Sequence, residues 1–213
     1  VMAAAMPLTA WVGKQVVLAS ASARDLDERL SHAAVTFSLA RPALVDALLL
    51  WSHATEPWVL YLVLSLLAVG LSLRGFVARR ALWVVPVALV GWGLAVLCKY
   101  LVSRPRPVPE EALKQAMGYS YPSGHATNST IAMILLVVLL WPLVRRAWAR
   151  ALLVLGAATA VVLTCLDRVF LGVHYPSDVV AGVLVGSAMT AAALLIGLRR
   201  RPGPTRPPQS SRA

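Results

Sequence analysis

The sequence predicts an all-α, polytopic membrane protein, a bundle of six transmembrane helices with an amphipathic interfacial helix near the N-terminus. Three observations predict it. Of 213 residues, 59% are hydrophobic, and the mean hydropathy is +0.73; a soluble domain holds only about 45–50% apolar residues. The apolar residues lie in long unbroken runs, not in the short alternating segments of a β-barrel. The arginines fall in short clusters between those runs, which is how membrane topology is set. The net charge of +11 therefore reads as orientation signal. Nucleic-acid binding is not expected, because no aromatic-basic face or binding motif supports it.

Residues 2–23 are apolar apart from Lys14 and a few hydroxyls, and predict a first span. The small residues Ala19-Ser20-Ala21-Ser22-Ala23 also suit a signal peptide, but no basic cluster precedes the run, which favours a retained helix. In residues 24–41, Leu26, Leu30, Ala33, Ala34 and Phe37 recur at helical spacing with charges opposite. This predicts a helix lying in the interface with its apolar face in the lipid and His32 exposed on its polar side. Residues 43–51 are too short to span and extend that element. Residues 57–73 form the second span, with Pro57 in its first turn and Trp58 and Tyr61 at the interface. Residues 81–102, 126–144, 151–166 and 176–197 form the remaining four. Cys98 and Cys165 sit inside apolar runs as small hydrophobes, with no metal-ligand spacing. Residues 1–198 thus read as one transmembrane domain. Residues 199–213, rich in Arg, Pro and Ser, read as a disordered basic tail.

Arg74, Arg79 and Arg80 make one basic loop, and Arg145, Arg146 and Arg150 another. Both loops and the tail belong on the cytoplasmic side by their charge. Three polar islands, at 99–107, 121–125 and 167–178, then share the extracytoplasmic side. Ionisable groups beside membrane spans are costly and mark functional sites.

Lys99 and Arg106 offer positive charge at a helix end, with Pro105 and Pro107 stiffening the chain. Arg104 reads as a juxtamembrane cation directed at lipid headgroups. Pro122-Ser123-Gly124-His125 opens a long apolar helix, and helix N-termini bind anions. Ser123 adds a hydroxyl and His125 a proton carrier. In the third island Arg168 can clamp oxygens with its fork. Asp178, four residues after His174, can fix the tautomer of that imidazole. Three cations, a helix N-terminus and two histidines suit a phosphomonoester or diphosphate. One histidine attacks phosphorus and the other protonates the departing oxygen. The islands hold no carboxylate cluster for Mg²⁺, so neither metal nor cofactor is expected.

Lys99-x6-Arg106-Pro107, Pro122-Ser123-Gly124-His125 and Arg168-x5-His174-x3-Asp178 together resemble the three-part signature of the type 2 phosphatidic acid phosphatase (PAP2) superfamily. The resemblance covers roughly residues 24–197. It implies a membrane lipid phosphatase with His174 as nucleophile, forming a phosphohistidine. By the same resemblance Asp178 orients His174 and His125 protonates the leaving group, while Lys99, Arg106, Ser123, Gly124 and Arg168 bind the phosphate. The implied substrates are a polyprenyl diphosphate, phosphatidylglycerophosphate or phosphatidate, and the Ala-, Val- and Arg-rich composition turns the choice toward a polyprenyl carrier. One departure is Asp167, where the family commonly has Ser; the expectation is that Asp167 points away from Arg168. A non-catalytic lipid-phosphate binding or transport protein on the same fold is the alternative. The soluble haloperoxidases of the superfamily are a poorer match to so apolar a chain.

Overall fold

A computed structural model describes residues 20–76, 78–107 and 112–199. Its helices are α1 (Ala21–Leu39), α2 (Pro42–Ala54), α3 (Pro57–Leu73), α4 (Ala78–Val102), α5 (Gly124–Leu140), α6 (Ala147–Phe170) and α7 (Pro176–Arg199). The all-α expectation holds, but the count of six spans does not. Among the described residues three helices are long and apolar enough to cross a membrane: Arg80–Val102, Ala147–Phe170 and Pro176–Ile196. The number reaches four only if α1 and α2, bent by 113° at their break, form one span. The chain is a multi-pass membrane protein, and among the described residues it has fewer full crossings than the apolar runs suggest.

The reasons are local. Residues 2–19 lie outside the described residues, and 21–23 are the first turn of α1, not the end of an earlier helix. Helices α3 and α5 stop at 17 residues each, about 25 Å at 1.5 Å per residue against a hydrocarbon core of about 30 Å. Helix α3 ends two residues before Gly75, at φ +77°, and α5 ends just before Trp141-Pro142, where the proline disfavours further helix. The basic tail from residue 200 onward lies outside the described residues.

Helix α1 is amphipathic, but its faces are reversed from expectation. Asp27, Ser31, Ala34, Val35 and Ser38 are buried, whereas Leu26, Leu30 and Phe37 are exposed. The polar stripe faces inward because its partners are there: Ser38 Oγ donates to the Phe170 carbonyl at 3.0 Å and Asp27 accepts from Arg104 at 2.9 Å. These contacts lay α1 across the end of the bundle where α6 stops and α7 begins. Apolar residues pointing outward carry little cost where the surroundings are lipid.

Helix α5 is the central post. Its first two turns, including Ala126 through Ala132, are buried, and Ile131, Leu135 and Leu139 pack with Tyr61, Val84, Val185 and Met189 of α3, α4 and α7. Close approach of α7 to α5 depends on two glycines. A Cβ on Gly182 would stand 2.8 Å from the Ser123 carbonyl oxygen, and one on Gly186 would stand 2.7 Å from that of Thr127. Helices α4 and α5 run antiparallel: Arg80, at the start of α4, donates to the Val138 carbonyl near the end of α5 at 2.6 Å. The C-termini of α4 and α6 and the N-termini of α3, α5 and α7 therefore meet at one end of the bundle.

Candidate active site

At that end each chain segment is turned by a recognisable device. Gly172 (φ +72°) closes α6 in a Schellman pattern, its N–H on the Val169 carbonyl and the Val173 N–H on that of Arg168. The chain reverses there and delivers His174 just ahead of α7. Asp178 lies in the first turn of α7, and its carboxylate accepts the Tyr175 N–H at 2.9 Å, so the α7 start and the His174 loop are locked together. Ser123 caps α5, its Oγ accepting the Ala126 N–H at 3.4 Å, and its own N–H donates to the Asp178 carbonyl at 2.9 Å. Its hydroxyl is fully buried and serves the cap. The N–H groups of Gly124 and His125, at the first two positions of α5, have no helical partner by geometry.

His174 is the hub. Arg106 Nη1 donates to the Val173 carbonyl at 2.7 Å and lies 3.3 Å from His174 Nε2. A guanidinium has only donors, so Nε2 must be the unprotonated nitrogen and Nδ1 carries the hydrogen. That Nδ1 lies 3.3 Å from Ser120 Oγ and 3.6 Å from Asp178 Oδ2, beyond direct hydrogen-bond reach of the carboxylate. Ser120, fully buried, donates its hydroxyl hydrogen to Asp178 Oδ2 in a short bond. The connection from imidazole to carboxylate thus runs through a serine. Burial pushes the His174 pKa down to about 4, with the Asp178 carboxylate opposing the fall and the cations Lys99 and Arg106 adding to it.

The cations are arranged around this hub. Arg106 is braced by the carbonyls of Gly118 and Met117, each at 3.0 Å. Lys99, in the last turn of α4, donates to the Tyr119 carbonyl at 2.8 Å. Its Nζ lies 4.0 Å from where a Cβ on Gly124 would stand, so a side chain there would crowd the lysine. Arg168 is buried and its Nε donates to Asp167 Oδ2 at 2.7 Å, with a second, shorter contact from Nη2. This corrects the expectation that Asp167 points away: the aspartate occupies the arginine's fork, leaving Asp167 Oδ1 buried without a partner. Among the described residues no group of His, Cys, Asp or Glu is arranged to hold a metal ion.

Arg104 is a second correction. It is buried, not directed at lipid. Its Nη1 donates to Asp178 Oδ1 at 2.7 Å and to Ser177 Oγ at 2.8 Å, and its Nη2 to Asp27 Oδ2 at 2.9 Å. Asp27 in turn accepts the Ser177 N–H at 3.0 Å. Pro105 and Pro107 keep the segment extended, and residues two apart on an extended chain share a side; the spacing of Arg104 and Arg106 was the available signal. Ser120 had no such signal, because nothing in Y-S-Y-P-S-G-H distinguishes its serine from a turn residue.

The model of the PAP2 superfamily matches residues 58–202. The chain belongs to the PAP2 superfamily. This PAP2 chain is 36% identical over 166 residues to a decaprenylphosphoryl-5-phosphoribose phosphatase of Mycobacterium tuberculosis, covering 74% of this chain and 82% of the relative. It is 36% identical over 99 residues to an undecaprenyl-diphosphatase of Sulfolobus acidocaldarius, 44% of each chain. The crystal structure of a transmembrane PAP2-type phosphatidylglycerolphosphate phosphatase from Bacillus subtilis superposes with a TM-score of 0.75 over 92% of this chain and 97% of that one, at 22% identity, a likeness of fold. This PAP2 protein is accordingly a phosphatase of the membrane.

Proposed function

We propose that this PAP2 phosphatase hydrolyses a phosphomonoester or diphosphate of a membrane lipid, through a phosphohistidine on His174 and without a metal, at the extracytoplasmic surface. One observation carries the reading: Nε2 of His174 is the unprotonated nitrogen and turns its lone pair toward Arg106, while Nδ1–H is backed by Ser120 and Asp178. A neutral imidazole aimed at a phosphate-binding cation is a nucleophile in position. Lys99 and Arg106 neutralise the phosphoryl oxygens, Arg168 contributes through the Nη1 that Asp167 does not engage, and the N–H groups opening α5 add donors. In the first step Nε2 forms a bond to phosphorus as the bond to the leaving oxygen breaks, and His125 gives that oxygen a proton. In the second, His125 takes a proton from water, the water oxygen attacks phosphorus, and inorganic phosphate leaves with His174 restored.

Among lipids, the polyprenyl phosphates are the favoured class. The relatives from Mycobacterium tuberculosis and Sulfolobus acidocaldarius both carry prenyl phosphates in their names. Phosphatidylglycerophosphate and phosphatidate are the competing substrates. The test is phosphate release by the purified protein from each of these lipids in excess EDTA, with a rapid acid-free quench to trap phosphohistidine. Release from a prenyl phosphate, lost in His174→Ala, is expected. Lipid binding with no release from any of them would instead favour a transport or binding protein.

A further inference from the structure

The connection between α2 and α3 places a carboxylate at the second histidine. Glu56 occupies the N-cap position of α3 ahead of Pro57, yet its side chain makes no cap hydrogen bond. It turns to the site instead. Glu56 Oε1 lies 3.3 Å from Lys114 Nζ, which is itself held by Ser52 Oγ at 2.7 Å. The other oxygen, Oε2, lies 3.6 Å from His125 Nε2, and that nitrogen is buried with no hydrogen-bond partner. Burial pushes the His125 pKa down to about 2, and Arg168 from α6, His174, when protonated, from the loop before α7, Lys114 from the segment before α5 and Lys99 from α4 all add to the fall. An imidazole that must donate a proton would lose it in such surroundings unless one anion offsets them.

Resting on the phosphatase reading above, we infer that Glu56 is a positioning residue for His125: its carboxylate, 3.6 Å from Nε2, acts on the ring through its charge, favouring the imidazolium from that side so that the leaving oxygen takes its proton from the opposite nitrogen. Each histidine of the site then has its own carboxylate. Asp178 serves the nucleophile through Ser120, and Glu56 serves the acid through its charge. Lys114 tunes the second pair by claiming Oε1, which leaves Oε2 for the histidine.

The test uses the full chain in lipid nanodiscs, with imidazole-labelled histidines followed by NMR and assigned with His125→Asn, beside the pH dependence of phosphate release from a prenyl phosphate. Glu56→Gln should lower the His125 pKa by about one unit or more, a ten-fold change in its protonation equilibrium. The alkaline limb of kcat should move down by the same amount, and the acid limb, set by His174, should stay. Lys114→Met should move both readouts upward. A Glu56→Gln protein whose His125 titrates as in wild type overturns the inference, as does a loss of rate equal at every pH. If wild type releases no phosphate from any lipid, the functional reading fails, and the histidine titration still decides the role of Glu56.

Discussion

Ser120 is the residue on which the nucleophile's readiness turns. It accepts from the His174 imidazole and donates to Asp178, so removing its hydroxyl leaves Nδ1–H 3.6 Å from the carboxylate with nothing between. Ser120→Ala should lower kcat by about ten- to a hundred-fold while KM changes little, since the serine is fully buried behind the imidazole. Steady-state phosphate release checks this, and Ser120→Thr should recover part of the loss. The pH dependence follows from the same geometry. In the proposed reaction His174 attacks only when neutral, and burial holds its pKa near 4. The acid limb of kcat/KM should therefore lie well below the ordinary imidazole range, with activity falling as pH drops through about 4. Asp178→Asn removes the carboxylate that favours the imidazolium, so the limb should move lower still. A limb near pH 6.5 would mean that the working histidine is not buried this way. Residue chemistry was the most legible level of the sequence. Spacing singled out Lys99, Arg106, Ser123, His125, Arg168, His174 and Asp178 as candidates, because an anion site needs cations and donors at chain turns, and the structure brings them to one end of the bundle; their roles belong to the proposed reaction. Partnerships across the chain were not legible: Asp27 and Arg104 are 77 positions apart, and no local pattern records such a pair.

At the scale of elements, the site depends on how closely α7 approaches α5 and on how α1 is tethered. Gly182 sits where an added methyl would meet backbone, not a flexible side chain. Gly182→Ala should push the helices apart, lower stability by about 1–3 kcal/mol and reduce turnover by displacing Asp178 from Ser123. Gly156 on α6 has open space around it, so Gly156→Ala should leave the melting temperature and activity nearly unchanged; thermal unfolding in detergent separates the two. The tether is ionic. Arg104 joins Asp27 of α1 to Asp178 of α7 inside the protein, and removing the shared cation strands two buried carboxylates. Arg104→Met should cost about 3–5 kcal/mol. Asp27→Asn should cost less, because Arg104 keeps Asp178. The α1 helix itself shows what periodicity can and cannot say. Its period was readable, but the side that faces the protein depends on whether water or lipid lies outside. In lipid, Asp27 and Ser38 gain more from inward partners than Leu26 and Phe37 would from burial.

For the whole molecule, hydropathy identified three full crossings, which survive as parts of α4, α6 and α7. It failed where an apolar run is shorter as a helix than as a sequence, as in α3 and α5 beneath the site. Convergence of the three polar islands does not need the six-span count: α4 and α6 end where α5 and α7 begin, and the side chains meet there. Which side of the membrane they meet on rests on the basic loops alone. Two exposed residues at opposite ends make that testable in a background with Cys98 and Cys165 replaced by Ala. Met117, 96% exposed, lies on the segment that braces Arg106; Phe76, 61% exposed, lies in the turn between α3 and α4. A membrane-impermeant maleimide added to intact cells should label Met117→Cys directly and Phe76→Cys only after permeabilisation. The reverse pattern would put the phosphatase site in the cytoplasm, where it would act on lipid phosphates of the inner leaflet and the arginine clusters would have misreported the topology.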